Sequence, residues 1–188
     1  MSLELLIGPM FAGKTSALMA RVRRYNAIGY NCFLITHSSD NRYAEQTGQQ
    51  GAIVNHNKEK LSALSTSALL PLLESAPYKA AKIVAIEEAH FFEDLIEFVK
   101  HAVEVDGKQV ICVGLNGSAE RKPIGHINEL IPFCDTITKI DAFCVHCAEP
   151  TVAPFTRRLT APDPTKEFVV GSTDIYEAVC RHHFLDPK

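Results

Sequence analysis

The chain has 188 residues, of which 46% are hydrophobic and 22% charged, with a formal net charge of −3. This composition is typical of a soluble globular protein with a sizeable core, and the lack of a basic excess argues against nucleic acid as a partner. The apolar runs are too short to cross a membrane and the N-terminus has no basic leader, so we expect a cytoplasmic protein without a membrane partner. In that reducing setting, six cysteines favour a metal site over disulfides.

The segment after the first apolar run is the most informative part of the chain. Residues 3–7 predict a buried strand, and residues 8–15 match the P-loop pattern G-x-x-x-x-G-K-[ST] at the start of a helix that we expect to end near Gly29. Glycines let backbone N–H groups close around a triphosphate, and the positive end of the helix favours its charge. We expect Lys14 to reach the β- and γ-phosphates and the Thr15 hydroxyl to bind Mg²⁺.

Strands and helices alternate in the prediction up to residue 140. Short apolar runs predict strands at residues 32–36, 82–86, 110–113 and 136–140. Helical spacing of apolar residues predicts helices at residues 67–75 and 92–105, and one or two helical turns at 127–131. Residues 37–60 are polar and predict a loop with at most a short hairpin. Repeated strand–helix units predict an α/β fold, a parallel P-loop (RecA-like) sheet flanked by helices and joined by right-handed crossovers.

Two adjacent carboxylates, Glu87 and Glu88, follow the predicted strand at residues 82–86. In open α/β sheets, ligands bind at the carboxyl ends of the strands, and adjacent residues at a strand end diverge and can take different tasks. We expect Glu87 to orient Mg²⁺, directly or through water, and Glu88 to act as a general base toward the attacking nucleophile. The alternative is a pair of acids that merely complement a helix N-terminus.

The loop at residues 115–125 carries two adjacent cations, Arg121 and Lys122, between flanking glycines. Because it follows a buried strand, the loop is a candidate phosphate clamp, and Arg121 is the better candidate for planar, bidentate contact. The alternative is an Arg-Lys pair that is simply solvated.

The sequence changes character near Asp141. Beyond this point the chain carries three of its cysteines, four prolines before residue 165 and several short β-type runs, and helix-length periodicity is absent until about Asp174. We therefore interpret residues 141–188 as a small appended lobe. Of the remaining cysteines, Cys32 and Cys112 fall in apolar strands and are expected to be core residues, whereas Cys134 has no evident partner.

Two C-x-x-[CH] knuckles in this lobe can supply four tetrahedral metal ligands. We predict a structural zinc site whose ligands are Cys144, Cys147, Cys180 and His183. Protein side chains fill all four positions, which leaves no open position for catalysis. His182 is an alternative fourth ligand and His146 a weaker one.

The order of these motifs closely resembles the thymidine kinase family of the cytosolic, zinc-containing type. The resemblance covers nearly the whole chain, at residues 8–15, 40–42, 87–92, 116–123, 156–159, 171–176 and both knuckles. It implies transfer of the ATP γ-phosphoryl group to the 5′-hydroxyl of thymidine to give dTMP, with Mg²⁺ and a structural Zn²⁺, in a homotetramer or dimer. It divides the chain into a P-loop kinase domain at residues 1–140 and a zinc-binding lobe with a lasso-type substrate loop at residues 141–188.

The resemblance also assigns roles to individual residues. Glu88 falls on the catalytic base, and Arg121 on a lasso loop that closes over the nucleoside and acts in catalysis together with Lys14. The residues expected to bind ATP and Mg²⁺ are Gly8, Pro9, Met10, Phe11, Ala12, Gly13, Lys14, Thr15, Ser16, Asp40, Arg42 and Glu87. The residues expected to bind the nucleoside are Met10, Phe91, Leu115, Thr156, Tyr176 and, through backbone around the thymine edge, Phe168, Val169 and Val170.

Several positions depart from the family pattern. Glu87 replaces an Asp, His90 a Gln, Asn116 an Asp and His183 a Cys, while Ala119 and Ile124 stand where the loop normally has aromatic residues. Loss of the two aromatic side chains removes stacking and buried area, worth about 1–3 kcal/mol of nucleoside binding each. We therefore expect weaker affinity or broader nucleoside acceptance.

Two other function classes compete with the kinase. The run Glu87-Glu88-Ala89-His90 also resembles the D-E-A-H box of P-loop motors and helicases, although 188 residues with a zinc lobe leave no space for a second ATPase domain. A weakly active or non-catalytic nucleotide-binding homologue is the other alternative, and the weakened substrate loop favours it.

Overall fold

The computed structural model describes residues 1–39, 51–55, 58–160 and 174–186. The strands in this part of the chain are β1 (Ser2–Gly8), β2 (Cys32–His37), β3 (Ala52–Val54), β4 (Lys60–Ser62), β5 (Leu64–Thr66), β6 (Ile83–Ile86), β7 (Gln109–Leu115), β8 (Thr136–Lys139), β9 (Ala142–Phe143), β10 (Val152–Ala153), β11 (Phe155–Arg158) and β12 (Tyr176–Val179). The α-helices are α1 (Lys14–Ala27), α2 (Ala76–Ala80), α3 (Leu95–Lys100) and α4 (Arg181–Leu185). A π-helical turn at His101–Val105 extends α3, and 3₁₀ turns occupy Leu70–Glu74, Ala89–Phe91 and Ile127–Phe133.

Six strands form one parallel sheet in the order β5-β2-β6-β7-β1-β8. The register pairs Gly8 of β1 with Leu115 of β7, and Ile86 of β6 with Cys112 of β7. The carboxyl ends of these three strands therefore meet at one edge, and β7 lies between the strands that carry the two predicted phosphate motifs. The predicted α/β fold with a parallel sheet and flanking helices is confirmed.

Alternating side chains of the sheet build two apolar clusters, one on each face. On one face, alternate residues of β1, β6 and β7 pack with Phe92, Leu95 and Phe98 around α3. On the other face, their intervening residues pack with Leu18 and Val22 of α1. Burial on both faces explains the nearly continuous apolar runs in the sequence. The expectation for the cysteines also holds, since Cys112 is fully buried and Cys32 packs against the second cluster.

The helix predicted at residues 67–75 is wrong in its bounds. The chain forms a 3₁₀ turn at Leu70–Glu74 and then α2, which begins where the prediction ended. Ser75 caps α2 by accepting a hydrogen bond from the backbone N–H of Tyr78, and Pro77 sits in the first turn, where its missing N–H costs nothing. The predicted helix at residues 92–105 exists but starts at Leu95.

None of the helices among the described residues combines the length and apolar character needed to span a lipid bilayer. Of the predicted loop at residues 37–60, the described part contains one antiparallel hairpin, β3 with β4, as the sequence indicated.

Residues beyond β8 form short antiparallel pairs, β9 with β10 and β11 with β12, followed by α4. Their buried cluster is small and consists of Ala142, Cys144, Ala153, Ala178, Val179 and Cys180. Phe11 and Ala12, from the turn after β1, pack against this cluster. The phosphate-loop segment is therefore supported by the C-terminal residues as well as by its own strand and helix.

Candidate active site and metal centre

The phosphate loop at residues 8–15 leaves β1 through backbone conformations that restrict its sequence. Gly8 and Gly13 have φ of 154° and 79°, and a Cβ on Gly8 would overlap the carbonyl oxygen of Ile140. Phe11 also has a positive φ, 63°, which costs a non-glycine residue about 1 kcal/mol or more. The ammonium of Lys14 is buried and donates to the carbonyl oxygen of Pro9 at 2.6 Å. The loop is thus closed around the lysine that the motif assigns to phosphate.

The first pair of functional candidates meets at the carboxyl edge of the sheet. The Thr15 hydroxyl donates to Oε1 of Glu87 at 2.6 Å, although 72 residues separate them in the sequence. Glu87 is 5% exposed and is held by its backbone N–H, which donates to Ile35 of the neighbouring strand β2. A hydroxyl and a carboxylate in direct contact are the hard oxygen donors that Mg²⁺ selects, so these two side chains fit that ion.

Glu88 lies beside Glu87 with a strained backbone. Its φ of 52° is left-handed, a conformation that a non-glycine residue keeps only where its surroundings enforce it. The carboxylate is buried, and its Oε2 lies 3.6 Å from Nδ1 of His90. The two adjacent acids therefore do differ in environment, one touching the phosphate loop and the other a histidine.

His90 connects this acid to the loop at residues 115–125. Its Nδ1 accepts a hydrogen bond from the backbone N–H of Leu115 at 3.2 Å, which assigns the ring proton of the neutral form to Nε2. A Cβ on Gly114 would come within 2.8 Å of the same nitrogen, and one on Gly125 would overlap the His90 carbonyl oxygen. Both glycines are therefore explained by the close approach of His90.

The predicted clamp residue, Arg121, points toward the C-terminal residues. A tight turn at residues 118–122 is closed by two backbone hydrogen bonds and by the Ser118 hydroxyl, which accepts from Glu120 and Lys122. The Arg121 guanidinium then lies over the rings of Phe184 and Phe155, at 4.6 and 5.8 Å from their centroids. It forms no ion pair within the described ranges.

Among the residues predicted to bind nucleoside, the structure brings two pairs together. The Met10 N–H donates to the Thr156 hydroxyl at 3.0 Å, and Phe91 and Leu115 both contact His90. Tyr176 lies on β12 opposite Arg158. Ser16, predicted to bind ATP, accepts from the Asn55 side chain at 3.3 Å. The other predicted ligands, Asp40, Arg42, Phe168, Val169 and Val170, lie outside the described residues.

His37 is a further polar residue at the carboxyl edge of the sheet that no motif in the sequence indicated. This buried residue ends β2 at the same carboxyl edge, and its ring contacts those of Phe91 and Phe92 with centroid distances of 5.5 and 4.7 Å. A polar residue directly after the predicted strand at 32–36 was the available signal.

The four predicted metal ligands converge. Nδ1 of His183 lies 3.5 Å from the Sγ atoms of Cys144 and Cys147 and 3.3 Å from Sγ of Cys180. The Sγ atoms of Cys147 and Cys180 are 3.9 Å apart. In an ideal tetrahedral zinc site, the distance between two ligand sulfurs is about 3.8 Å and the distance between a ligand sulfur and a ligand nitrogen is about 3.6 Å. The set therefore fits a tetrahedral zinc ion, and it is the one group of this kind within the described ranges.

Electrostatics at this cluster favour a thiolate. Burial raises the pKa of Cys144, but hydrogen bonds from the backbone N–H groups of Cys180 and His146, together with those from the thiols of Cys147 and Cys180, lower it from 9.0 to about 6. His182 is not part of the cluster. His146 instead bonds Glu177 at 2.9 Å and Arg157 at 2.8 Å.

A charged network surrounds the metal ligands. Arg157 donates to the Glu177 carboxylate at 2.6 Å and to the backbone carbonyl of His183. Burial raises the pKa of Glu177, but hydrogen bonds from His146 and Arg157 prevail and lower it overall. Such outer contacts fix the orientation of a ligating side chain.

These features define a P-loop α/β protein with a Cys₃His cluster in its C-terminal segment that could hold a metal ion. A family model described as "Thymidine kinase" matches residues 1–184, and the chain belongs to the thymidine kinase family.

Individual relatives of the chain are also thymidine kinases. The thymidine kinase of Variola virus is 38% identical over 184 residues, which cover 98% of this chain and 97% of that protein. The thymidine kinases of Vaccinia virus (strain Western Reserve) and Monkeypox virus are 37% and 36% identical over the same shares of both chains. Among solved structures, AMPPCP-bound DnaA from Aquifex aeolicus aligns at 12% identity with a TM-score of 0.42, over 73% of this chain and 39% of that chain.

Proposed function

We propose that this protein transfers the γ-phosphoryl group of ATP to the 5′-hydroxyl of thymidine and releases dTMP. Membership of the thymidine kinase family supports thymidine as the acceptor. The observation that carries the proposal is the 2.6 Å contact between Thr15 of the phosphate loop and Glu87 at the end of β6, with Glu88 beside it. This contact joins the two motifs that phosphoryl transfer needs.

The phosphate loop would bind the triphosphate. Its backbone N–H groups and the start of α1 favour negative charge, and Lys14 adds a buried ammonium. We expect the ammonium to leave the Pro9 carbonyl for the β- and γ-phosphates, because hydrogen bonds between two charged groups are the stronger ones. Thr15 and Glu87 would hold Mg²⁺, which neutralises charge on these phosphates when bound.

Glu88 would accept the proton of the 5′-hydroxyl late in the transfer. A hydroxyl is a poor nucleophile, and a carboxylate within reach contributes about 10²–10⁴-fold to such a reaction. The left-handed backbone of Glu88 and its neighbour His90 support this role, because they limit the directions in which the carboxylate can point.

Arg121 would stabilise charge that develops on the transferred group, since a guanidinium can bind phosphate bidentately. The nucleobase would lie among Met10, Phe91, Leu115, Thr156 and Tyr176, with backbone at Phe168, Val169 and Val170 along the thymine edge. A mostly apolar pocket with a few polar groups suits a nucleobase.

The test is a coupled assay with ATP, Mg²⁺ and thymidine, followed by chromatography of the product. Formation of 5′-dTMP is expected, and 5′-deoxythymidine should give no product because it lacks the accepting hydroxyl. Glu88→Gln should lower kcat by about 10²–10⁴-fold while ATP still binds. Chelation of Mg²⁺ should also stop turnover.

Glu104→Gln is the matched control for charge removal, because Glu104 lies in the π-helical turn that leads to the amino end of β7. It should keep wild-type turnover. Wild-type turnover in Glu88→Gln would remove Glu88 as the base. ATP hydrolysis stimulated by nucleic acid without thymidine phosphorylation would favour the motor class. ATP binding with neither activity would favour a non-catalytic homologue.

The proposal extends to assembly and location. We expect a homo-oligomer, a tetramer or a dimer, in the cytoplasm. Light scattering of the purified protein tests the first expectation, and a monomer at assay concentration would contradict it.

A further inference from the structure

The phosphate loop and the metal-bearing segment touch each other at Met10 and Thr156. The backbone N–H of Met10 donates to the Thr156 hydroxyl at 3.0 Å across 146 residues of sequence. Thr156 is buried and Met10 is half-buried, so the bond is partly shielded from water. A threonine that resemblance places against the nucleobase therefore also holds the backbone of the phosphate loop.

Packing supports the same contact. Phe11 and Ala12, which follow Met10, pack on the cluster formed by Cys144, Cys180 and their neighbours. Phe11 keeps a positive φ of 63°, an unfavourable conformation that needs support from its surroundings. The C-terminal segment provides that support.

Strand β11, which carries Thr156, also contacts the residues of the predicted metal site. Successive residues of a strand point to opposite sides, and on β11 Thr156 faces the phosphate loop while Arg157 donates to the His183 carbonyl. Thr156 is also paired with Ala178 of β12, two residues before Cys180. Three short steps thus join the metal centre to Met10: His183 to Arg157, Arg157 to Thr156, and Thr156 to Met10.

We propose that Thr156 is a positioning residue for the phosphate loop, and that the metal centre, by ordering β11, sets the affinity of this loop for the triphosphate. The proposal rests on the proposed function only in that the phosphate loop binds ATP. The metal then acts on nucleotide binding without touching the nucleotide.

Two substitutions separate this role from contact with the nucleobase. Thr156→Val keeps the shape and the methyl group but removes the acceptor, so the half-buried Met10 N–H loses its partner. We expect the Kd for ATP, measured by calorimetry without thymidine, to rise about tenfold. Thr156→Ser keeps the hydroxyl and should retain wild-type ATP affinity, even if the lost methyl group weakens thymidine binding.

Hydrogen–deuterium exchange provides a readout that does not depend on activity. In Thr156→Val, the peptide that covers residues 8–15 should exchange faster, and the peptide of β7 should not change. Removal of zinc from the wild-type protein should have the same effect on residues 8–15. If Thr156→Val does not fold, the exchange of residues 8–15 in the wild-type protein with and without zinc tests the proposal instead.

Wild-type ATP affinity in a folded Thr156→Val variant would overturn the proposal. So would exchange at residues 8–15 that is unchanged by zinc removal, or a thymidine-only defect in Thr156→Val. A wild-type protein that binds ATP but does not phosphorylate thymidine would refute the proposed function and leave this test intact.

Discussion

The parallel sheet and the C-terminal segment differ in how much apolar surface each can bury. The cluster between the sheet and α3 contains fully buried large side chains such as Leu5, Phe92 and Phe98. The cluster of residues 142–180 consists of alanines, one valine and two cysteines that are themselves metal ligands in the predicted site. We expect these small side chains to bury too little area to offset the entropy of ordering this segment, and a metal ion to supply the difference.

Zinc removal should therefore separate the two regions and have the largest effect. Structural zinc sites contribute on the order of 10 kcal/mol in small domains. We expect chelation, or Cys147→Ser, to unfold residues 141–186 while the sheet keeps its structure. Exchange measured by mass spectrometry should rise in β9 to β12 and stay low in β1 and β7.

Cys134→Ser is the matched control for loss of a thiol. Cys134 lies outside the metal cluster and packs at the margin of the sheet core. Metal analysis should return about one zinc per chain for this variant and less than that for Cys147→Ser. Equal zinc content in both would contradict the ligand set.

A cavity in the sheet core should destabilise the sheet, in contrast to zinc removal, which should unfold the C-terminal segment. Phe98→Ala removes a fully buried ring from α3, and such substitutions cost about 3–5 kcal/mol. Urea unfolding should show this loss, and added zinc should not restore it. Phe143→Ala is the control, because Phe143 is 67% exposed and its removal leaves no cavity. A comparable loss in both variants would refute the contrast between the two regions.

This contrast also explains what the sequence could predict. The sheet was predictable because burial on both faces requires long apolar runs, as in β6 and β7. The contact between Thr15 and Glu87 followed, since parallel strands bring their carboxyl ends to one edge. The convergence of the four predicted metal ligands was predictable from the spacing of the two knuckles, because tetrahedral zinc needs ligand pairs.

Other features depend on contacts that no local pattern encodes. β9 and β10 have two residues each, too few for any periodicity. Pro77 suggested a helix end, but the Ser75 cap makes it a helix start. The bond from Met10 to Thr156 joins residues 146 positions apart; the family resemblance placed both residues at one pocket, but no local pattern indicates the bond itself. The boundary at residues 140 and 141 stays a prediction.

The loop at residues 115–125 shows how tightly the sheet edge is packed. Gly125→Ala would place a Cβ on the carbonyl oxygen of His90 at a φ of 48°. We expect a loss of about 2–3 kcal/mol in the free energy of unfolding, from the left-handed conformation and the clash together. Gly107→Ala has a similar φ of 64° but nothing within 4 Å, so it should cost only about 1 kcal/mol. Equal losses would mean that the clash is relieved by movement of His90.

The smallest effect is expected from a surface charge pair on the sheet side. A hydrogen bond with Glu129 at 2.7 Å is the main cause that raises the pKa of His126; burial opposes it, and Glu93 adds to the increase. Because the folded pKa lies above the ordinary value of 6.5, the stabilisation is fully present below that pH and is lost as pH rises through the folded pKa. Because Glu129 is 63% exposed, the stabilisation from its pair with His126 should not exceed about 0.5 kcal/mol. The free energies of unfolding of wild type and Glu129→Gln, measured in urea, should therefore differ more at pH 6 than at pH 8.5. Glu120→Gln is the control, because it removes an exposed acid that has no ion pair in the described ranges, and it should show no such trend. A difference that is larger at pH 8.5 would show that the pair is not formed by the protonated histidine.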